Sequence, residues 1–219
     1  MTPLDRLLQR WRIATARPYI PPGSRLLDVG CADGALFKQL AGRIRQGVGI
    51  DAGLRRASRK HNIRFLPGKF PDGLPHLGTF DVITLLALLE HIPQKGLKRV
   101  AQRCADLLKP GGWLVITVPS PHADWVLDCL KQFRLIHGMS LKEHHRFEVR
   151  RTPALFARVG LEMVTFKQFQ LGFNNLFVFR KPERARGRVR VKVYILPPVR
   201  RRSGHGRAAR GVLRADRVH

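Results

Sequence analysis

Arg25-Leu26-Leu27-Asp28-Val29-Gly30-Cys31-Ala32-Asp33-Gly34 decides the fold. An apolar run carrying one acid passes into a loop of small residues. Behind the loop Leu36, Phe37, Leu40 and Ile44 recur at the spacing of a buried helix face. Strand, glycine loop and helix, in that order, open a βαβ unit. The small residues let the backbone approach a ligand closely, and the start of the following helix offers N–H groups to an anion. A dinucleotide site calls for G-x-G-x-x-G, with a pyrophosphate resting on those amides. This loop reads G-x-A-x-G and has Asp28 at its start, which suits a ligand presenting both a carboxylate and an ammonium. Asp51, 21 residues beyond Gly30 at the end of the next apolar run, stands where a carboxylate takes the paired hydroxyls of a ribose.

Outward from this unit, short apolar runs alternate with helical patterns, the signature of a mostly parallel sheet. Residues 47–50, 63–66, 80–86 and 113–118 read as the second to fifth strands. A helix is expected over 94–108, with Val100, Cys104, Leu107 and Leu108 on one face and Pro110-Gly111-Gly112 as its stop. Residues 124–136 and 152–159 also read as helical, and 161–169 pairs with 173–180 as an antiparallel hairpin across Gly172. At the N-terminus Leu4, Leu7, Leu8 and Trp11 recur at i, i+3, i+4, i+7. That spacing predicts a helix over 4–16 laid on the body rather than on a membrane surface.

Three motifs in order carry a family resemblance. Leu26 through Gly34 is the first. Phe80-Asp81-Val82-Ile83-Thr84 through Leu89-Glu90-His91-Ile92-Pro93 is the second, and Leu107-Leu108-Lys109-Pro110-Gly111-Gly112-Trp113-Leu114 the third. Together they resemble the class I S-adenosylmethionine-dependent methyltransferases, small-molecule type, over residues 22–181. The resemblance implies a Rossmann-like, doubly wound α/β fold: a mostly parallel seven-stranded sheet with its last strand antiparallel. It implies a domain over 22–181, a helical lead-in over 1–21 and a basic tail over 182–219. It further implies that Asp28, Gly30, Cys31, Ala32 and Gly34 hold the methionine end of S-adenosylmethionine, Asp51 the ribose, and Gly68 and Leu86 the flanks of the cofactor. Two positions depart from the family pattern: Ala32 stands where glycine is usual, and Leu66-Pro67-Gly68-Lys69-Phe70 lacks the acid that often meets the adenine amino group. Phe70 reads either as an adenine contact or as a core side chain.

Methyl transfer asks the protein to align a nucleophile with an activated carbon and to exclude water; a base helps when the nucleophile is a hydroxyl. His91 follows the fourth strand at the edge where open α/β sites lie. His144 and His145, in Glu143-His144-His145-Arg146-Phe147, form the second candidate cluster. A zinc site is not expected there, because adjacent histidines without a nearby cysteine lack ligand spacing. The acceptor is expected to be a small-molecule or lipid-like compound, with O-methylation favoured. Trp125, Leu127, Phe133, Leu135, Ile136 and Met139, between the fifth and sixth strands, would line its pocket. Two rival readings stand beside this one, a nucleic-acid methyltransferase and a non-catalytic protein that kept the fold. The first lacks an N-P-P-Y-type motif, since Leu86-Ala87-Leu88-Leu89 occupies its place.

The chain has 219 residues and a formal charge of +26, with 44% hydrophobic residues, enough to bury a core. Cys31, Cys104 and Cys129 form no disulfide framework, and no run is long and apolar enough to span a bilayer. A cytoplasmic, soluble protein is expected. Residues 180–219 hold 14 of the Lys and Arg and only 2 acids, while all 12 Phe lie at or before Phe179. That terminal stretch reads as a solvated extension, as an arm for nucleic acid or an acidic surface, or as a frame-shifted string of G+C-rich codons.

Overall fold

The computed structural model describes residues 2–120 and 148–183. A mixed eight-stranded sheet runs through them: β1 Arg25–Val29, β2 Gln46–Asp51, β3 Ser58–Lys60, β4 Ile63–Pro67, β5 Phe80–Leu86, β6 Leu108–Pro119, β7 Glu162–Phe169 and β8 Asn174–Arg180, in the order β3-β4-β2-β1-β5-β6-β8-β7. The α/β class is as expected, but the sheet has one strand more than the seven anticipated. The addition, β3, pairs antiparallel with β4 and is too short and polar to leave a period-2 apolar pattern. Its exposed Arg59 and Lys60 are cations of the kind that keep an edge strand from pairing further. As expected, β8 is reversed, lying antiparallel between β6 and β7.

Among the described residues four α-helices cover the two faces. α1 (Pro3–Ala16) and α2 (Ala35–Gln39) pack on one side, where Ile13, Ala16, Leu36, Phe37 and Leu40 meet Leu26, Val82, Val115 and Val178. α3 (Gln94–Leu107) and α4 (Thr152–Ala157) pack on the other, burying Val100, Cys104 and Phe156 against Leu27, Ile83, Leu85 and Ile116. Alternate residues of β1, β5 and β6 thus feed opposite layers, as the strand period of two requires. α2 ends sooner than its apolar pattern, yet Leu40 and Ile44 beyond it remain buried. The stop at Pro110-Gly111-Gly112 falls inside β6. Phe80 pairs with Leu108 and Val82 with Trp113, and the residues between bulge out around Gly111 at φ 76°.

Thr2 caps α1 with a reciprocal bond to Asp5, and the helix turns a different face to the body from the one its leucines suggest. Ile13 and Ala16 are the buried residues, whereas Leu7 and Trp11 are 58% and 44% exposed. The expected Leu4/Leu7/Leu8/Trp11 packing stripe is therefore not the packing face. Gln9, Arg12, Ile13 and Ala16 point inward instead. At the amino edge of the sheet, Asp81 accepts from the Arg25 amide at 2.7 Å and from Lys109 Nζ at 2.6 Å, tying the starts of β1 and β6 to β5. Burial pushes its carboxyl up, but those bonds and the nearby Arg45 outweigh it and hold Asp81 below its ordinary value. Its structural role at the start of β5 follows. The expected helix over 124–136, the pocket-lining residues between β6 and β7, His144 and His145, and the tail from 184 onward lie outside the described residues.

Candidate functional site

The winding of the sheet reverses between β1 and β5, so the crevice of the fold opens at their carboxyl ends. Asp28 and Thr84 are in-register partners across that seam. Asp28 is 4% exposed, and Thr84 Oγ1 donates to its Oδ1 at 2.7 Å. Burial raises the Asp28 carboxyl to about 7; the Thr84 bond opposes the rise and the charge of Asp51 adds to it. A carboxyl held so close to neutrality ionises when a cation arrives beside it.

The loop after β1 is folded back on the end of β2. Gly30 and Cys31 amides both donate to the Ile50 carbonyl, at 2.8 and 3.2 Å, and the Ala32 amide donates to Asp51 Oδ2 at 2.8 Å. Gly34 donates to the Cys31 carbonyl and Ala35 to Asp33 Oδ1. Of the amides at the start of α2, that of Ala35 is therefore already used inside the loop. Gly30 and Gly34 have φ of 78° and 71°, and a Cβ on either would lie 3.0 Å from Leu88 Cδ1 or from the Phe65 ring. Both glycines are thus required by conformation and by space. Ala32 adopts φ 44° with its methyl in the left-handed region, where glycine is at ease. The Cys31 side chain is buried against Gly49 and Phe37, and burial pushes its thiol up to about 12.

Asp51 ends β2 with both oxygens held, Oδ2 by Ala32 and Oδ1 by the Gly53 amide at 2.7 Å. A carboxylate accepts about four hydrogen bonds, so two positions remain for paired hydroxyls. The Gly68 amide donates to the Asp51 carbonyl at 3.2 Å, bringing the exit of β4 alongside. Phe70 is partly buried against the core, in keeping with its role there. Leu86 ends β5, partly buried and paired with Thr117. Asp28, the 30–34 loop, Asp51, Gly68 and Leu86 all sit at this one edge.

Two further groups join them, Glu90 from the expected Glu90-His91 pair and Arg12, which sequence reasoning left out. Glu90, in the 3-10 turn Leu89–His91 after β5, is 5% exposed, and its Oε2 has no hydrogen-bond partner among the described residues. Burial raises its carboxyl to about 7, with a backbone hydrogen bond and the charge of Arg12 working against the rise. Arg12 reaches in from α1, and its buried Nε is also unpaired. The signal in the sequence was there: an arginine sharing a helical face with Ile13 and Ala16. α1 is anchored across the site, through Gln9 Nε2 to Asp33 at 3.3 Å and through its Leu8 carbonyl to Gln170 Nε2 at 2.8 Å. His91 closes the turn, exposed, at the same edge. Among the described residues no group of three or more His, Cys, Asp or Glu is gathered as for a metal. A cavity of about 430 Å³ opens at the opposite, amino edge between Arg45, Asp81, Lys109 and Trp113. Both of its cations are committed to Asp81, so the carboxyl edge carries the chemistry.

Residues 3–165 match the pattern of a methyltransferase domain family. The ubiquinone biosynthesis O-methyltransferase of Thiobacillus denitrificans is 30% identical over 73% of this chain and 70% of its own length. That of Burkholderia pseudomallei is 28% identical over 67% and 68%. Others align over less, such as the Albidiferax ferrireducens enzyme at 34% identity over 42% of this chain and 40% of its own. Among solved structures, the N-methyltransferase NodS from Bradyrhizobium japonicum superposes with a TM-score of 0.60 at 19% identity, covering 82% of this chain and 99% of that one. The Haloferax volcanii methyltransferase bound to its Trm112 activator gives 0.62 at 15% identity, over 80% and 91%. These two speak for the fold. With the profile match and the switch-point loop, the chain belongs to the class I S-adenosylmethionine-dependent methyltransferases.

Proposed function

We propose that this enzyme moves the methyl group of S-adenosylmethionine to a hydroxyl oxygen of a small-molecule or lipid-like acceptor, an aromatic alcohol being the class best suited. The 30% identity shared with an O-methyltransferase over most of both chains carries the reading. The residues at the carboxyl edge fit the cofactor. Gly30 and Gly34 keep the loop free of side-chain bulk, Asp51 has lone pairs left for ribose hydroxyls, and Asp28 offers a charge to an ammonium. Among the described residues Arg12 Nε and Glu90 Oε2 are an unpaired buried donor and acceptor, which a zwitterionic amino-acid end would satisfy. When bound, the cofactor supplies a carbon activated by its sulfonium. The residues of the chain then orient the acceptor oxygen in line, keep water out and remove its proton. His91 takes that proton, with His144 and His145 as the second candidate pair.

Calorimetric titration with S-adenosylmethionine, followed by a mass-shift assay on phenol and catechol acceptors, tests this. Asp51→Ala is expected to weaken cofactor binding by at least about tenfold, while His91→Ala lowers turnover about a hundredfold with cofactor affinity kept. No binding by the wild type would overturn the reading; equal turnover in His91→Ala would remove the base assignment.

A further inference from the structure

The outward side of α1 is built for something other than water. The residues exposed along the helix include Arg6, Leu7, Arg10, Trp11, Ala14 and Arg17. At 3.6 residues per turn, the three arginines fall within about 40° of one another, and Leu7, Ala14 and Trp11 form an adjoining row about 60° wide. Leu7 and Trp11 are 58% and 44% exposed, and Leu171, on the hairpin turn beside them, is 88% exposed. The Gln170 to Leu8 hydrogen bond fixes that turn against the helix, so the three apolar groups share one corner of the molecule. The one acid of the helix, Asp5, is taken up in the cap with Thr2.

We propose that this corner docks on an anionic lipid bilayer. α1 lies in the plane of the interface, with Leu7, Trp11 and Leu171 entering the boundary between headgroups and acyl chains. Arg6, Arg10 and Arg17 reach back to the lipid phosphates. Tryptophan and arginine both favour that depth, the ring for its amphipathic character and the arginine for its long apolar stem. Charge complementarity singles out this occupant. A second copy would bring the arginine rows of two helices together, and a nucleic-acid backbone would answer the arginines while leaving Leu7 and Leu171 in water. Docking also sets the site at the membrane, because the inward side of the same helix carries Gln9 on Asp33 and Arg12 near Glu90.

The test is flotation of the full chain with phosphatidylglycerol-containing vesicles and with pure phosphatidylcholine vesicles, at about 0.3 M salt, where diffuse attraction by the basic chain is muted. The wild type floats with the anionic vesicles. Leu7→Ser/Trp11→Ser lowers the floating fraction at least about tenfold, Arg6→Glu/Arg10→Glu does likewise, and Trp11→Phe keeps most of it. All these positions are exposed, so melting temperature and S-adenosylmethionine affinity stay at wild-type values, which separates this inference from the proposed reaction. Flotation unchanged in both double variants overturns it. So does a double variant that splits a dimer, or loses RNA affinity, with vesicle binding intact.

Discussion

At the scale of single residues, the site is tuned by burial. Asp28 sits near 7 because the sheet surrounds it, and a cationic ligand would draw it into its charged form. Affinity for S-adenosylmethionine should therefore rise as pH increases from about 6 to about 8, and Asp28→Asn should flatten that rise while weakening binding at least about tenfold. Titration calorimetry across that range checks both. Ala32 poses the opposite question, since its φ of 44° strains an L residue at the very loop that faces the ligand. Ala32→Gly relieves the strain and frees a methyl's worth of space, but adds entropy to the unfolded chain, so stability moves by less than about 1 kcal/mol. Its cofactor dissociation constant should fall severalfold, and an unchanged constant would show that the methyl never met the ligand.

At the scale of elements, the sequence was most legible where the period was strict. The parallel strands, the α3 face and the β7–β8 hairpin all follow from apolar spacing, because each buries a face. β3 escaped, since a three-residue polar edge strand exists only through its pairing with β4. The orientation of α1 escaped for a related reason. Two stripes compete on that helix, and the inward one is chosen by polar anchors, Gln9 and Leu8, whose partners lie far along the chain. Within the site, Asp28, the glycine loop and Asp51 were readable because their spacing belongs to one βαβ unit. Arg12 beside Glu90, and Thr84 on Asp28, needed the fold to bring distant segments together. The cap of α1 offers an element-level test. Thr2→Ala removes the side-chain acceptor of the Asp5 amide and should cost about 1 kcal/mol, read as a shift in denaturant midpoint with slope unchanged.

For the molecule as a whole, the two raised carboxyls set a pH dependence of stability. In the cofactor-free protein Asp28 and Glu90 keep their protons up to about 7, whereas in the unfolded chain they release them near 4. Between those values the folded state binds more protons than the unfolded one, so stability falls as pH rises through that window and levels off above it. The melting temperature should be lower at pH 8 than at pH 5, and Glu90→Gln should shrink the difference; a melting temperature that rises over this range would contradict the burial of both groups.

The reversed strand β8 has a consequence for how the molecule is made. It fills the gap between β6 and β7 although it follows both in the chain, and α1 is pinned to the Gln170 turn 162 residues later. Until Asn174–Arg180 has been made, the edge of β6 that it covers has no partner. High contact order of this kind slows folding and leaves a pairing edge open during synthesis. A nascent chain stalled before β8 is thus a natural client for a chaperone, and closure of the sheet waits on Asn174–Arg180.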